Sequence, residues 1–224
     1  MREYKSKVDI VYETLMEDIV NGVYHTNDRL IVSQIAKHMH VSDIPVREAL
    51  RRLESLGYVR INANQGAVVS SIDKDDIISM FQIKGVLEGY ASRLSIDFLT
   101  AKDLKKLHSI NEKIKDAGLK GDSKKYSDLN MKFHLTVYSV IPQKMLYNTI
   151  VDLWQKWTIT KSVFTVSPKR MNTSYLEHEE IITMLENKDY DGVETFVRSH
   201  KITAGYEWAN MVKLSEKMSL EEFE

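Results

Sequence analysis

The sequence predicts a mainly α protein in two parts: three helices with a small β-hairpin, then an all-α bundle of six or seven helices. Three observations carry that expectation. Only three Pro and nine Gly interrupt the 224 residues, so long helices are expected wherever apolar residues recur at a 3.6 period. β-prone runs occur in one place, residues 58–61 and 67–69. Beyond residue 73 the apolar spacing is helical throughout.

Taken in order, Val8, Val11, Leu15 and Ile19, with Tyr12, Met16 and Val20, line one face of a helix that stops before Gly22, a residue favoured just past a helix end. Ser33 is placed to cap a short helix carrying Ile35, Ala36 and Met39. Ser42 is placed to cap another, with Val46, Ala49, Leu50, Leu53 and Leu56 before Gly57. Residues 58–61 and 67–69 pair as a hairpin around the turn-rich Asn-Ala-Asn-Gln-Gly66. This completes a first domain, residues 1–70.

A second domain is expected over residues 74–214. Ile77, Phe81, Leu87, Ala91 and Leu94 mark its first helix; Leu104, Leu107 and Ile114 mark the next, opened by a cap at Thr100-x-x-Asp103. Tyr126, Leu129, Phe133 and Val137 mark a third that Pro142 ends, and Leu146, Ile150, Leu153 and Trp157 a fourth. After Pro168 come a helix with Ile181, Ile182 and Leu185, and a last one with Val193, Phe196 and Val197 running to about Lys213. The charged tail, residues 215–224, is expected to fray.

Composition narrows the chemistry. With 43% apolar and 28% charged residues the chain is globular rather than disordered. No apolar run approaches the ~18 residues that span a bilayer, and the N-terminus lacks the apolar stretch of a signal peptide, so a cytoplasmic protein without a membrane partner is expected. The absence of Cys excludes disulfides, thiolate nucleophiles and Cys-ligated zinc or iron–sulfur clusters, leaving His, Asp, Glu and Asn for any metal. The formal charge of -1 gives no global pull onto nucleic acid. Locally, however, Arg29, Lys37, Arg47, Arg51, Arg52 and Arg60 face only Asp43, Glu48 and Glu54.

Two short helices joined by a tight turn and followed by a hairpin form a winged helix-turn-helix, whose second helix lies in a major groove while the hairpin touches the flanking backbone or minor groove. Arg47 and Arg51, four apart, share the face opposite Leu50 and Leu53 and are suited to reading guanine edges or gripping phosphates. The alternative at this point is that both are ordinary solvated charges of an amphipathic helix. Gly66 lets the wing backbone approach DNA closely.

The run from Ile35 to Arg60, with Asn-Gln-Gly66-Ala-Val-Val after it, resembles the winged-helix head of GntR-family bacterial transcription regulators over about 40 positions. In that family the helix start typically reads Val-Ser-Arg-Thr-Pro-Val-Arg-Glu-Ala-Leu. Val41, Ser42, Pro45, Val46, Arg47, Glu48, Ala49 and Leu50 match, whereas Asp43 and Ile44 replace the Arg-Thr pair. The resemblance places Arg29, Ser42, Asp43, Ile44, Arg47, Arg51, Gln65 and Gly66 near DNA. A carboxylate at 43 repels phosphate but can accept a hydrogen bond from cytosine, so the operator is not the family's usual one. Double-stranded inverted-repeat DNA and a homodimer are the expected partners, and repression the expected mode.

In the second part, Asn130 and His134 are four apart and point the same way on a helix, while His178 and His200 lie on two later helices beside apolar faces. Converging in a bundle core, these side chains make an N₃O metal site with room for water or a ligand. Three unrelated His, each satisfied by a local hydrogen bond, is the alternative from spacing alone. Val86-Leu-Glu-Gly-Tyr-Ala-Ser-Arg-Leu94, Asn130-Met-Lys-Phe-His134, His178-Glu-Glu-Ile-Ile and Asp189-x10-His200 resemble, in order, the FCD ligand-binding domain of FadR-type GntR regulators.

That resemblance selects Asn130, His134, His178 and His200 as ligands of one divalent ion per chain, zinc first, with nickel or manganese as alternatives. Asn instead of Asp removes a negative charge at the ion and favours an anionic effector, a small carboxylate. Lys84 stands where many members carry an Arg near the ligand; a solvated helix Lys is the other reading. The expected function is a regulator whose operator binding is controlled by the effector, not an enzyme. The rival is a metal-dependent hydrolase or lyase using the same His, which lacks an evident general base at motif spacing.

Overall fold

The computed structural model describes residues 5–20, 23–55, 57–62, 66–70, 74–157, 164 and 169–221. It divides into two compact units, Met1–Asp73 and Lys74–Glu224.

The first unit contains α1 (Lys7–Val20), β1 (Arg29–Leu30), α2 (Val32–His38), α3 (Asp43–Ser55), β2 (Val59–Asn62) and β3 (Gly66–Val69). Helix α1 buries Val11 and Leu15 against α3, which contributes Val46, Ala49, Leu50 and Leu53. Two points differ from the sequence expectation. Ser33 does not cap α2: the helix starts at Val32, two residues earlier than a Ser33 cap would place it, with Ile31 at the cap position and no side-chain cap bond. The hairpin also gains a third strand, giving the order β1-β3-β2, with Arg29 opposite Val68 and Leu30 opposite Ala67. A strand of two residues carries no period to read, which is why β1 escapes sequence reasoning.

Both helices of the helix-turn-helix end in the same backbone device. His40 takes φ 54, and the Val41 and His40 amides donate to the Ala36 and Lys37 carbonyls. After α3, Gly57 takes φ 83 and the amides of Tyr58 and Gly57 donate to Leu53 and Glu54. Each is a Schellman closure that satisfies otherwise unpaired helix-end carbonyls.

The second unit is helical among the described residues: α4 (Lys74–Ser95), α5 (Ala101–Leu119), α6 (Ser123–Tyr138), α7 (Lys144–Trp157), α8 (Lys169–Glu186) and α9 (Tyr190–Glu221). The expected cap of α5 is present as a full capping box, with Thr100 and Asp103 each bonding the other's backbone amide. Helix α9 continues past Lys213 to Glu221, into the tail expected to fray. The core is built from Leu107, Ile114, Phe133, Val137, Ile150, Ile182, Val193 and Val197 with their neighbours.

Helices α4 and α9 pack most extensively, and glycines permit it. A Cβ on Gly85 would stand 3.0 Å from the Arg198 carbonyl oxygen, one on Gly89 2.7 Å from that of Glu194, and one on Gly205 2.5 Å from Phe81. This close approach brings Lys84 and Glu88 of α4 beside Lys201 of α9.

Candidate functional site

In the first unit, α3 presents Asp43, Ile44, Arg47, Glu48 and Arg51 on its exposed face, with Ser42 exposed just before it. Ile44 is 72% exposed, an apolar side chain held out in solvent on the first turn of the helix. Asp43 lies 3.8 Å from Arg47, so the carboxylate that departs from the family pattern also restrains the adjacent guanidinium. Arg52 is not on this face: it donates to Asp9 at 2.8 Å and covers the Tyr12 ring at 5.2 Å. One of the six cations counted along the sequence therefore ties α3 to α1. Arg29 is exposed on β1, and Gly66 opens β3 at φ 75, a backbone conformation that suits glycine. Gln65 lies outside the described residues.

In the second unit, His134 (α6), His178 (α8) and His200 (α9) are buried and come together from three helices, their candidate ligating nitrogens within 4.8 Å of one another. Two Zn–N bonds of ~2.1 Å at a tetrahedral angle span ~3.4 Å, so one ion reaches all three after a modest inward movement. Asn130 sits one turn before His134, and its buried Oδ1 has no hydrogen-bond partner.

The outer nitrogens fix the tautomers. The Tyr138 hydroxyl donates to Glu88 at 3.0 Å, so its oxygen accepts from His134 Nδ1 at 3.2 Å. Asn111 donates its amide to the Tyr175 carbonyl at 3.0 Å, which turns its Oδ1 toward His178 Nδ1 at 3.2 Å. His200 Nδ1 donates to Glu177 at 2.5 Å. With each Nδ1–H engaged, the lone pairs lie on Nε2, and the Nε2 atoms of His134 and His178 are buried with no partner. Burial first, then neighbouring Lys201 and the other imidazoles, push His134 and His178 well below the usual His range; burial brings His200 down to about 4. All three are neutral at pH 7, as coordination requires.

Glu177 is held by both guanidinium nitrogens of Arg170, at 2.7 and 2.6 Å. Burial raises its pKa, but the hydrogen bonds from His200 and Arg170 outweigh that and lower it to about 2. On the opposite side, Lys84 is 1% exposed, which removes the solvated reading. Its Nζ stands 3.5 Å from Glu88 Oε1 and 3.5 Å from the centre of the Trp154 ring, and makes no hydrogen bond. Lys201 reaches the other Glu88 oxygen at 3.0 Å and the same ring at 4.6 Å. Burial lowers Lys84 to about 7 against the pull of Glu88.

Sequence reasoning missed Glu88, Tyr138, Arg170, Glu177 and Lys201. The signals were weak: Glu177 and Lys201 adjoin a His, and Lys84 and Glu88 form an i,i+4 pair of a kind that usually sits on a solvated face.

Residues 79–203 match the FCD domain, and residues 7–69 match the gntR family of bacterial regulatory proteins. The HTH-type transcriptional regulator McbR of Escherichia coli strain K12 is 27% identical, over 81% of this chain and 83% of that protein. The gluconate operon transcriptional repressor of Bacillus subtilis strain 168 is 25% identical, over 81% of this chain and 76% of its own. Among solved structures, E. coli McbR/YncC superposes with a TM-score of 0.66 at 23% identity, over 99% of this chain and 100% of that one, a likeness of fold. None of the described helices is long and apolar enough to cross a membrane. With its winged head and FCD bundle, the chain belongs to the GntR family of bacterial regulatory proteins, a DNA-binding transcription regulator and not an enzyme.

Proposed function

We propose that this regulator represses transcription as a cytoplasmic homodimer on an inverted-repeat operator, under control of a small carboxylate effector at a divalent metal site in the bundle. The observation that carries the metal reading is the hydrogen bonding of the imidazoles. Every Nδ1 has an acceptor, and two of the three Nε2 atoms are buried unbonded, an arrangement that a bound ion would satisfy. His134, His178 and His200 would hold the ion, with Asn130 as an oxygen donor. Imidazole suits zinc, and nickel or manganese fit if further oxygens complete the shell. The ion supplies positive charge to which a carboxylate is drawn.

In the head, Arg47 is the base-reading residue, Arg51, Arg29 and Ser42 contact the backbone, and Gln65 and Gly66 carry the wing contact. With Arg52 engaged on Asp9, a single head offers few phosphate contacts, which favours two heads on one operator. The gluconate operon relative is named a repressor, and repression is proposed here by that likeness.

The test is elemental analysis of the purified chain beside His134→Ala, with sedimentation and footprinting on an operator selected from random DNA. One ion per chain, lost in the variant, and a dimer protecting a dyad-symmetric site are expected. Equal metal content in both proteins overturns the metal reading; a monomer on an asymmetric footprint overturns the dimer.

A further inference from the structure

Among the described residues of the first unit, Ile44 is the most exposed large hydrophobic side chain, at 72%. An apolar side chain exposed by itself is ordinary; the position of this one is not. Residues 44, 47, 48 and 51 share one exposed stripe of α3, while Val46, Ala49, Leu50 and Leu53 are buried on the opposite side. Ile44 therefore heads the stripe that carries Arg47 and Arg51. It stands on the first turn of the second helix of the helix-turn-helix, the turn whose side chains reach base edges when such a helix enters a major groove.

The chemistry around it narrows what it can meet there. Asp43, next in the chain and 3.8 Å from Arg47, repels phosphate, which favours base edges over the backbone as the partner of Ile44. The Ile side chain has neither donor nor acceptor, so it gains nothing from a phosphate or from the polar edges of guanine, cytosine and adenine. Laid on those edges it would cover polar atoms without pairing them, and that costs binding. Thymine alone among the four bases shows an apolar group in the major groove, its C5-methyl. The Thr of the usual GntR pattern carries a hydroxyl beside its methyl and serves either kind of contact, whereas Ile44 serves only the apolar one.

Resting on the head reading above, in which Arg47 reads bases, we propose that Ile44 is a specificity-determining residue whose side chain packs on the C5-methyl of an operator thymine. Three residues advance ~4.5 Å along a helix and successive base pairs lie ~3.4 Å apart, so this thymine neighbours the base pair that Arg47 reads. Ile44 thus selects by attraction to one methyl group and by the penalty it imposes on every polar edge put in its place.

The experiment uses the full chain and an operator selected with it from random DNA. Each thymine is replaced singly by deoxyuridine, which keeps the base pair and lacks only the methyl group. Binding is titrated at one salt concentration, low enough to keep the weaker complexes measurable. One replacement, beside the position where Arg47→Ala loses its base preference, is expected to weaken wild-type binding about fourfold, the worth of one buried methyl group. Ile44→Ala should bind the thymine and deoxyuridine duplexes equally, and Ile44→Val, which keeps a branched apolar side chain, should retain most of the difference. The exposed position lets both variants fold, which circular dichroism checks. Wild-type binding that is indifferent to every deoxyuridine overturns the proposal, and so does a difference that persists undiminished in Ile44→Ala. If Arg47→Ala keeps full discrimination between the operator and random DNA, the head reading beneath the proposal fails, and unmodified duplexes register that separately.

Discussion

Glu177 accepts a hydrogen bond from His200 Nδ1 at 2.5 Å while both terminal nitrogens of Arg170 grip the same carboxylate. A carboxylate so fixed orients the ring and raises the basicity of the opposite nitrogen. Glu177→Gln keeps the size but removes the charge, and should weaken zinc binding about 10–100-fold. Competition with a chromogenic chelator measures this; an unchanged affinity would separate Glu177 from the metal site.

The metal-free protein should lose stability as it is acidified. His134, His178 and His200 have folded pKa values below the unfolded value of 6.5, His200 at about 4. The unfolded chain therefore takes up protons first. The stability is fully present above about pH 6.5, declines below it, and for His200 is lost as pH falls through about 4. Urea midpoints of chelator-treated protein from about pH 7.5 down to about pH 5 follow the decline, and a flat profile counts against buried neutral imidazoles.

Arg47→Ala should abolish discrimination between the selected operator and random DNA at fixed salt, since a lost bidentate base contact costs ~1–3 kcal/mol. The fold is expected to survive, because Arg47 is exposed on α3 while Val46, Leu50 and Leu53 make the core contacts. Arg51→Ala should weaken all sequences alike and flatten the salt slope. Retained discrimination in Arg47→Ala removes it from the role of base reader.

Asp43→Arg should tighten DNA binding. It replaces a carboxylate that repels phosphate, and it also releases Arg47 from the 3.8 Å pair. The base preference at one operator position should change with it. Equilibrium titration against several sites checks this; weaker or identical binding at all of them would place Asp43 away from DNA.

Long elements were legible in the sequence because their apolar periods are long. Helices α1, α3 and α4 to α9 follow from the spacing of residues such as Val11 and Leu15 or Phe133 and Val137, and Thr100-x-x-Asp103 marked a helix start that the structure has. The two-residue β1 and the unassisted start of α2 lacked such a signal. At the candidate site, the three His stood out as rare residues beside apolar faces. The groups that orient them did not, since Tyr138, Arg170 and Glu177 acquire meaning only when tertiary packing brings α4, α6, α8 and α9 together. Lys84 shows the limit most clearly: an i,i+4 Lys–Glu pair reads as surface, yet both partners are buried.

The glycine contacts between α4 and α9 bear on how a signal leaves the bundle. Helices slide past one another when a layer of side chains between them can repack. Beside Gly85 and Gly89 that layer is missing, and backbone carbonyls stand where a methyl group would have to go. These two helices form a stiff spine, with Lys84, Glu88, His200 and Lys201 fixed along it as one wall. On the metal reading proposed above, closure around an ion would fall to α6 and α8, which carry Asn130, His134 and His178, and displacement of those two helices would be the first mechanical consequence of binding.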